Sequence, residues 1–192
     1  MIERMHAVLN RGAMRALCVA TLVALLAPEL SGCATSADSG GMTVAAQPAA
    51  QIFPQRFMHA MCLRTVSGGE ETNPLWVSKV DDKGFQTALS ASLDGAGLTA
   101  PSSNGCAFPI DVNLLGMSQP SLGLDMTVTS HVNYKVYDQS GQPVLLATID
   151  APYTATFSDS PLGFVRLKRA NEGAIRVSIQ DFFDKLRDIN PK

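Results

Sequence analysis

The sequence predicts an α+β domain of order β-α-β-β-β-α, an antiparallel sheet of about four strands with two helices packed on one face. Three patterns carry this. Residues 126–136 and 145–157 alternate apolar and polar side chains on either side of a short Gly-bearing turn. Residues 85–96 carry one apolar stripe at helical spacing, and residues 175–189 carry a second. Strands with one polar face and helices with one apolar stripe bury both only by stacking in two layers.

Taken in order, residues 57–66 suit a strand, with Met58, Ala60, Cys62 and Val66 on one face, running into Ser67-Gly68-Gly69. Asp81 or Asp82 is a natural N-cap. Phe85, Ala88, Leu89, Ser92, Leu93 and Ala96 then recur at helical spacing, and Gly95 and Gly97 end the helix. Cys106, Phe108, Ile110, Val112 and Leu114 alternate with Asp111 and Asn113, and Pro109 pushes this strand toward a sheet edge or a late start. Met126, Val128, Val132, Tyr134 and Val136 face one way, with Thr127, Thr129, His131, Asn133 and Lys135 opposite. Asp138-Gln139-Ser140-Gly141 turns the chain into a strand bearing Leu145, Ala147, Ile149, Ala151, Tyr153 and Ala155, so the two make an antiparallel hairpin. Ser160-Pro161 reads as the cap and first position of the last helix. Ile175, Ile179, Phe182, Leu186 and Ile189 form its core stripe, with Glu172–Arg176 and Asp181–Lys185 as i,i+4 pairs on the solvated side.

Ahead of this domain stands a different kind of segment. Arg4, Arg11 and Arg15 precede an apolar run over 16–27 that Pro28 and Glu29 end. A membrane span needs ~20 apolar residues, so the run reads as a secretory signal over 1–32. Leu30-Ser31-Gly32-Cys33 resembles the lipobox of bacterial lipoproteins, in which cleavage before the Cys makes it the lipid-bearing first residue. That resemblance implies lipid attachment at Cys33, and Ala34 in place of Asp implies outer-membrane sorting. Ordinary cleavage before Ala34 or Thr35 is the competing reading. Residues 34–50 are small, polar and without period, which predicts a flexible tether, leaving 51–192 as one periplasmic domain.

Cleavage before Cys33 removes 32 of 192 residues and leaves 12 Lys and Arg against 15 Asp and Glu. No basic stripe appears, so nucleic acid is not an expected partner. Cys18 leaves with the signal, so Cys62 and Cys106 remain. In an oxidising compartment a disulfide is the leading reading, closing a loop of about 45 residues for ~3–4 kcal/mol in the chain-entropy model. A metal site is poorer, with only His59 and His131 and no paired Cys-x-x-Cys. A catalytic thiol has no base beside it in sequence.

The stretch 68–76, Gly-Gly-Glu-Glu-Thr-Asn-Pro-Leu-Trp, holds the single Trp and two adjacent carboxylates in a region without regular period. Glu70, Glu71, Thr72, Asn73 and Trp76 are therefore candidates for a binding loop. The plainer reading is a connecting loop whose Trp76 packs over the sheet edge. Glu70 and Glu71 as an acid–base pair lack a nucleophile. His131 on a polar strand face is a conceivable base, though a solvated strand residue fits the same pattern. The cations Arg166, Lys168 and Arg169 suit phosphates or lipid headgroups, and equally a solvated helix face. No nucleophile elbow, P-loop or metal-ligand spacing is present, so neither cofactor nor metal is expected.

Residues 68–76, Phe-Gln-Thr-Ala-Leu-Ser-Ala-Ser-Leu over 85–93, Ala-Pro-Tyr-Thr-Ala-Thr-Phe-Ser-Asp over 151–159 and Arg-Leu-Lys-Arg-Ala-Asn-Glu-Gly-Ala-Ile-Arg over 166–176 together resemble a family of small, uncharacterised proteobacterial lipoproteins. Members sometimes carry a UDP-N-acetylglucosamine acyltransferase name, which implies an envelope enzyme. Such acyltransferases are hexapeptide-repeat β-helices, and that period is absent here. The element order is also similar to the lipopolysaccharide-assembly lipoproteins of the LptE type and to auxiliary lipoproteins of ABC transporters. The resulting expectation is a non-catalytic accessory or binding module on the periplasmic face of the outer membrane, in envelope assembly or transport. It has two partners: the membrane through its anchor, and an envelope protein. The alternative is an envelope enzyme such as an acyltransferase.

Overall fold

A computed structural model describes residues 34–46, 53–73, 77–102 and 105–189, all within one unit, Ala34–Lys192. The signal segment, Cys33 and Trp76 lie outside the described residues. A short helix α1 (Ser39–Met42) and a single 3-10 turn (Gln55–Phe57) precede β1 (Met61–Ser67) and α2 (Asp82–Gly95). Then follow β2 (Phe108–Ser118), β3 (Met126–Tyr137), β4 (Pro143–Ala155) and the long α3 (Gly163–Arg187). The α+β class, the four strands and the two long helices agree with the sequence reading.

The sheet order is β1-β2-β3-β4. The two pairings after β2 are antiparallel, but β1 pairs with β2 in parallel, so the sheet is mixed rather than antiparallel. The cause is α2, which carries the chain back along the sheet before β2 begins, as a β-α-β crossover requires. β2 is interior, flanked on both sides, and Pro109 is its second residue. The late start holds, then, and the edge position does not.

The helices bury their stripes on one sheet face. Phe85, Ala88, Leu89 and Leu93 of α2 meet Ile175, Ile179, Phe182 and Leu186 of α3 and the inward residues of all four strands in one core. Tyr134 stacks on Phe182 at 4.4 Å between ring centroids, and Phe53 meets Phe183 edge-on at 5.6 Å. Buried polar groups on this face are paired across the layers. Ser130 Oγ donates to the Ala174 carbonyl at 3.1 Å, and the Tyr134 hydroxyl bonds Ser178 Oγ at 3.0 Å. Burial pushes the Tyr134 phenol well above its ordinary range. α3 approaches the sheet closely because residue 173 is Gly, where a Cβ would sit 2.1 Å from the Tyr153 ring.

Two bulges reset the side-chain period. β1 carries one extra residue between Leu63 and Thr65, so Met61 and Leu63 point inward before it and Val66 after it. The parity predicted through Met58, Ala60 and Cys62 therefore fails, and Phe57 to Ala60 precede the strand. β2 has a second irregularity between Leu114 and Gly116, which leaves Leu115 facing solvent. Cys62 and Cys106 are joined in a disulfide, Cα atoms 5.6 Å apart, tying β1 to the approach of β2.

The segment expected to be a tether is packed over 34–46. Met42 is fully buried, with Ala37 and Val44 at 5% and 7% exposure. Asp38 caps α1, and its own N–H donates to Glu172 at 2.8 Å, while Arg176 donates to the Gly41 carbonyl. Val44 N–H donates to Ser92 Oγ of α2 at 2.9 Å. Glu172 and Arg176 thus clamp the N-terminal segment instead of pairing with each other. Small size, read from composition as flexibility, is what lets the segment lie between the two helices. At the far end, α3 begins at Gly163 and not at Ser160-Pro161. Ser160 is held in the preceding loop, its Oγ accepting from Leu162 N–H and its carbonyl from the Arg166 guanidinium.

Candidate binding surface

Among the described residues, no helix covers the second face of the sheet. Strand alternation lays its side chains out in cross-strand rows. Thr65, Asp111 and Lys135 form one row, Ser67, Asn113, Asn133 and Thr148 the next, then Gly116, His131 and Asp150, and last Thr127 with Thr154.

Each row is bonded. Arg64 Nε donates to Asp111 Oδ1 at 2.8 Å, its second nitrogen bridges Oδ2, and the Thr65 hydroxyl adds a third bond at 2.8 Å. Hydrogen bonding from Arg64, with that from Thr65 and the charge of Lys135, holds the Asp111 carboxyl below the usual carboxylate range. Asn133 Nδ2 donates to Thr148 Oγ1 at 3.0 Å, and Thr127 bonds Thr154 at 2.8 Å. A shallow groove of about 250 Å³ runs between Thr65, Ser67, Asp111, Asn113, Asn133 and Lys135.

The third row holds a constellation not foreseen from the sequence. His131 Nδ1 lies 2.7 Å from Asp150 Oδ1, and His131 Nε2 lies 3.0 Å from Ser118 Oγ. With Nδ1–H given to Asp150, Nε2 of the neutral ring accepts the Ser118 hydroxyl. The β2 bulge turns Ser118 toward this face, so alternation counted without it misses the residue. Arg64 was hidden by the β1 bulge in the same way.

The described residues of the 67–79 stretch, 67–73 and 77–79, are bonded to one another and to the fold. Gly68, at φ +88°, passes so close to the Leu114 carbonyl that a Cβ would lie 2.1 Å from it. Gly69 N–H donates to Asp82 at the head of α2 at 2.6 Å. Glu70 N–H donates to the Val80 carbonyl at 2.9 Å, and the Glu70 carboxylate bridges Lys79 at 3.0 Å. Thr72 Oγ1 accepts from Lys79 N–H at 2.8 Å, and Asn73 bridges Val77 across the excursion. Glu71 is exposed. A crevice with room for about one water, some 10 Å³, lies between Gly68, Glu70, Leu114, Gly116 and Met117. Since Gly116 pairs with His131, the loop base and the polar rows adjoin, although the crevice includes neither His131 nor Glu71.

Other sequence candidates are dispersed. His59 lies in the turn before β1, its N–H donated to the Gly97 carbonyl at 2.9 Å. Arg166 is not on a solvated face: it is 5% exposed and bonded to the carbonyls of Ser160 and Gly123. Lys168 pairs with Glu172 at 3.8 Å. Among the described residues, no group of three or more His, Cys, Asp and Glu side chains is arranged to hold a metal ion, and no helix is long and apolar enough to cross a membrane.

The sequence matches no family model and no curated protein. Among solved structures, the chain is similar to XCC0632 from Xanthomonas campestris, described under the family model DUF330. The TM-score is 0.54 at 10% identity, covering 76% of this chain and 91% of that one. Weaker likenesses are to a candidate lipoprotein from Caulobacter crescentus CB15, at TM-score 0.39 and 14% identity over 65% of this chain and 87% of that one, and to a minor lipoprotein from Acinetobacter baumannii, at 0.35 and 14% over 54% and 82%. At such identities the likeness is one of architecture, and what the chain shares with the Xanthomonas protein is its fold.

Proposed function

We propose that this protein is a lipoprotein anchored through Cys33 to the periplasmic face of the outer membrane, acting as a non-catalytic accessory or binding module in envelope assembly or transport. The observation that carries the reading is the bare face of the sheet. Among the described residues the four strands are covered on one side only, and the other side offers bonded polar rows beside the bonded base of the 67–79 stretch. Such a face suits a partner that meets fixed donors and acceptors without ordering them anew. The lipobox resemblance and the kinship implied by residues 68–76 and 166–176 support the anchor and the family.

The test is affinity capture from crosslinked envelopes with mass spectrometry, run beside Cys33→Ser. A reproducible envelope complex that is lost in the control supports the reading. Alanine at Glu71 and Trp76 that leaves every captured protein unchanged removes the loop from the contact surface.

A second reading, an envelope hydrolase or acyltransferase, is favoured by Ser118, His131 and Asp150. Ser118 Oγ would attack an ester carbonyl carbon while His131 Nε2 takes its proton and Asp150 orients the ring. Against it, the His131 and Asp150 side chains are 36% and 66% exposed, and cross-strand bonding alone produces the same row. Turnover of a soluble ester by the wild type that Ser118→Ala abolishes would establish this reading. Equal rates in the two proteins would remove it.

A further inference from the structure

The molecule has one apolar cluster that its own fold leaves uncovered. Leu122 and Leu124 are 90% and 74% exposed, Leu162 and Phe157 53% and 51%, and Phe164 40%. They come from two segments, one before β3 and one running from the end of β4 into the first turn of α3, drawn together by one buried cation. The Arg166 guanidinium bonds the Gly123 carbonyl at 3.1 Å and the Ser160 carbonyl at 2.7 Å, and lies 5.3 Å from the Phe157 ring centroid. The carboxylates at this end are turned into the loops. Asp125 accepts from Phe157 N–H at 3.0 Å and Asp159 from Thr156 N–H at 2.6 Å, while Arg169 bonds the Asp159 carbonyl. The leucines and phenylalanines share the outward surface with these bonded, exposed carboxylates. A soluble domain seldom fixes such a patch in the open without a surface to cover it.

The path of the N-terminal segment says what covers it. Asp38 sits on Glu172 and Gly41 on Arg176, so the chain from Asp38 to Gly41 runs in the same sense as α3. Followed backward it heads for the start of that helix. Ala37 N–H donates to the Lys79 carbonyl at 3.0 Å, and Ala34 and Ala37 are both packed on the domain. Cys33 precedes Ala37 by four residues, a reach of at most about 14 Å. From the other side, Gln119 Nε2 donates to the Ser78 carbonyl at 3.1 Å, and Leu122 follows three residues later, at most about 11 Å away. With the side chain and the hydrogen bonds added, Cys33 is leashed within about 20 Å of Lys79 and Leu122 within about 20 Å of Ser78.

We infer that this end of the domain rests on a phospholipid surface, with Leu122, Leu124, Leu162, Phe157 and Phe164 entering the headgroup boundary beside the acyl chains on Cys33. The inference rests on the lipid-anchor reading and adds an orientation to it. Lipid chains hold the protein at the membrane, while the apolar cluster fixes which end faces it. The sheet's polar rows, which extend away toward Lys135 and Leu146, then project into the periplasm.

The experiment uses the processed, lipid-bearing protein reconstituted in vesicles of phosphatidylethanolamine and phosphatidylglycerol. Leu122→Cys carries a bimane label in one preparation and Leu146→Cys in another, with nitroxide-bearing phospholipid as quencher. Leu146 is 62% exposed and lies nine residues up β4 from Ala155, about 30 Å. The expected result is several-fold stronger quenching at position 122 than at 146, abolished by Leu124→Asp with Leu162→Asp. Equal quenching, or a label at 122 shielded in detergent by a second copy or another protein, overturns the inference if mass spectrometry finds Cys33 acylated. An unacylated N-terminus instead overturns the anchor reading beneath it.

Discussion

The two faces of one sheet behave as different materials. On the inner face Val132, Tyr134 and Val136 of β3 are fully buried, and each polar atom has a partner from α3. One residue away in each step, His131, Asn133 and Lys135 stand on the outer face, where His131 and Asn133 bond neighbours across the strands. The same backbone supports both, so the packed core and the exposed polar rows are separated by side-chain parity alone. Substitutions on the outer face should leave folding almost untouched.

The contrast can be broken by mutation. Phe182→Ala removes the ring stacked on Tyr134 in a fully buried site, and a loss of about 3–5 kcal/mol is expected by chemical denaturation. Met42→Ala tests whether the N-terminal segment belongs to the inner material. A packed Met42 predicts a loss of about 2 kcal/mol or more, whereas a tether predicts none.

Asp111→Asn on the outer face should lower Tm by less than about 3 °C at neutral pH. Its folded pKa is depressed, so its contribution is complete above the unfolded value near 4 and disappears as pH falls through the folded one. The wild-type and variant melting curves should therefore converge in acid. Asn133→Ala should change stability by no more than about 0.5 kcal/mol, while reducing any partner captured through the polar rows.

Helical spacing made α2 and α3 legible: Asp81 caps α2 through Gly84 N–H at 2.8 Å, and both stripes lie in the core. The β3–β4 hairpin was equally plain. Strand pairing was not, because alternation is the same for parallel and antiparallel neighbours. A bulge also leaves no mark in composition, so Ser118 and Arg64 stayed hidden from the face they occupy. Arg166 looked like a surface charge because nothing local reveals that two distant loops offer it carbonyls. Residues 34–46 misled for the opposite reason, their small side chains being packing groups in a narrow space.

The most direct test of the account is site-specific photocrosslinking in intact envelopes, with the reactive side chain at Asn133 on the outer sheet face and, separately, at Gln86 on the exposed side of α2. The account predicts a discrete protein adduct from position 133 and none from 86. Adducts from 86 alone, or from neither position, would contradict it.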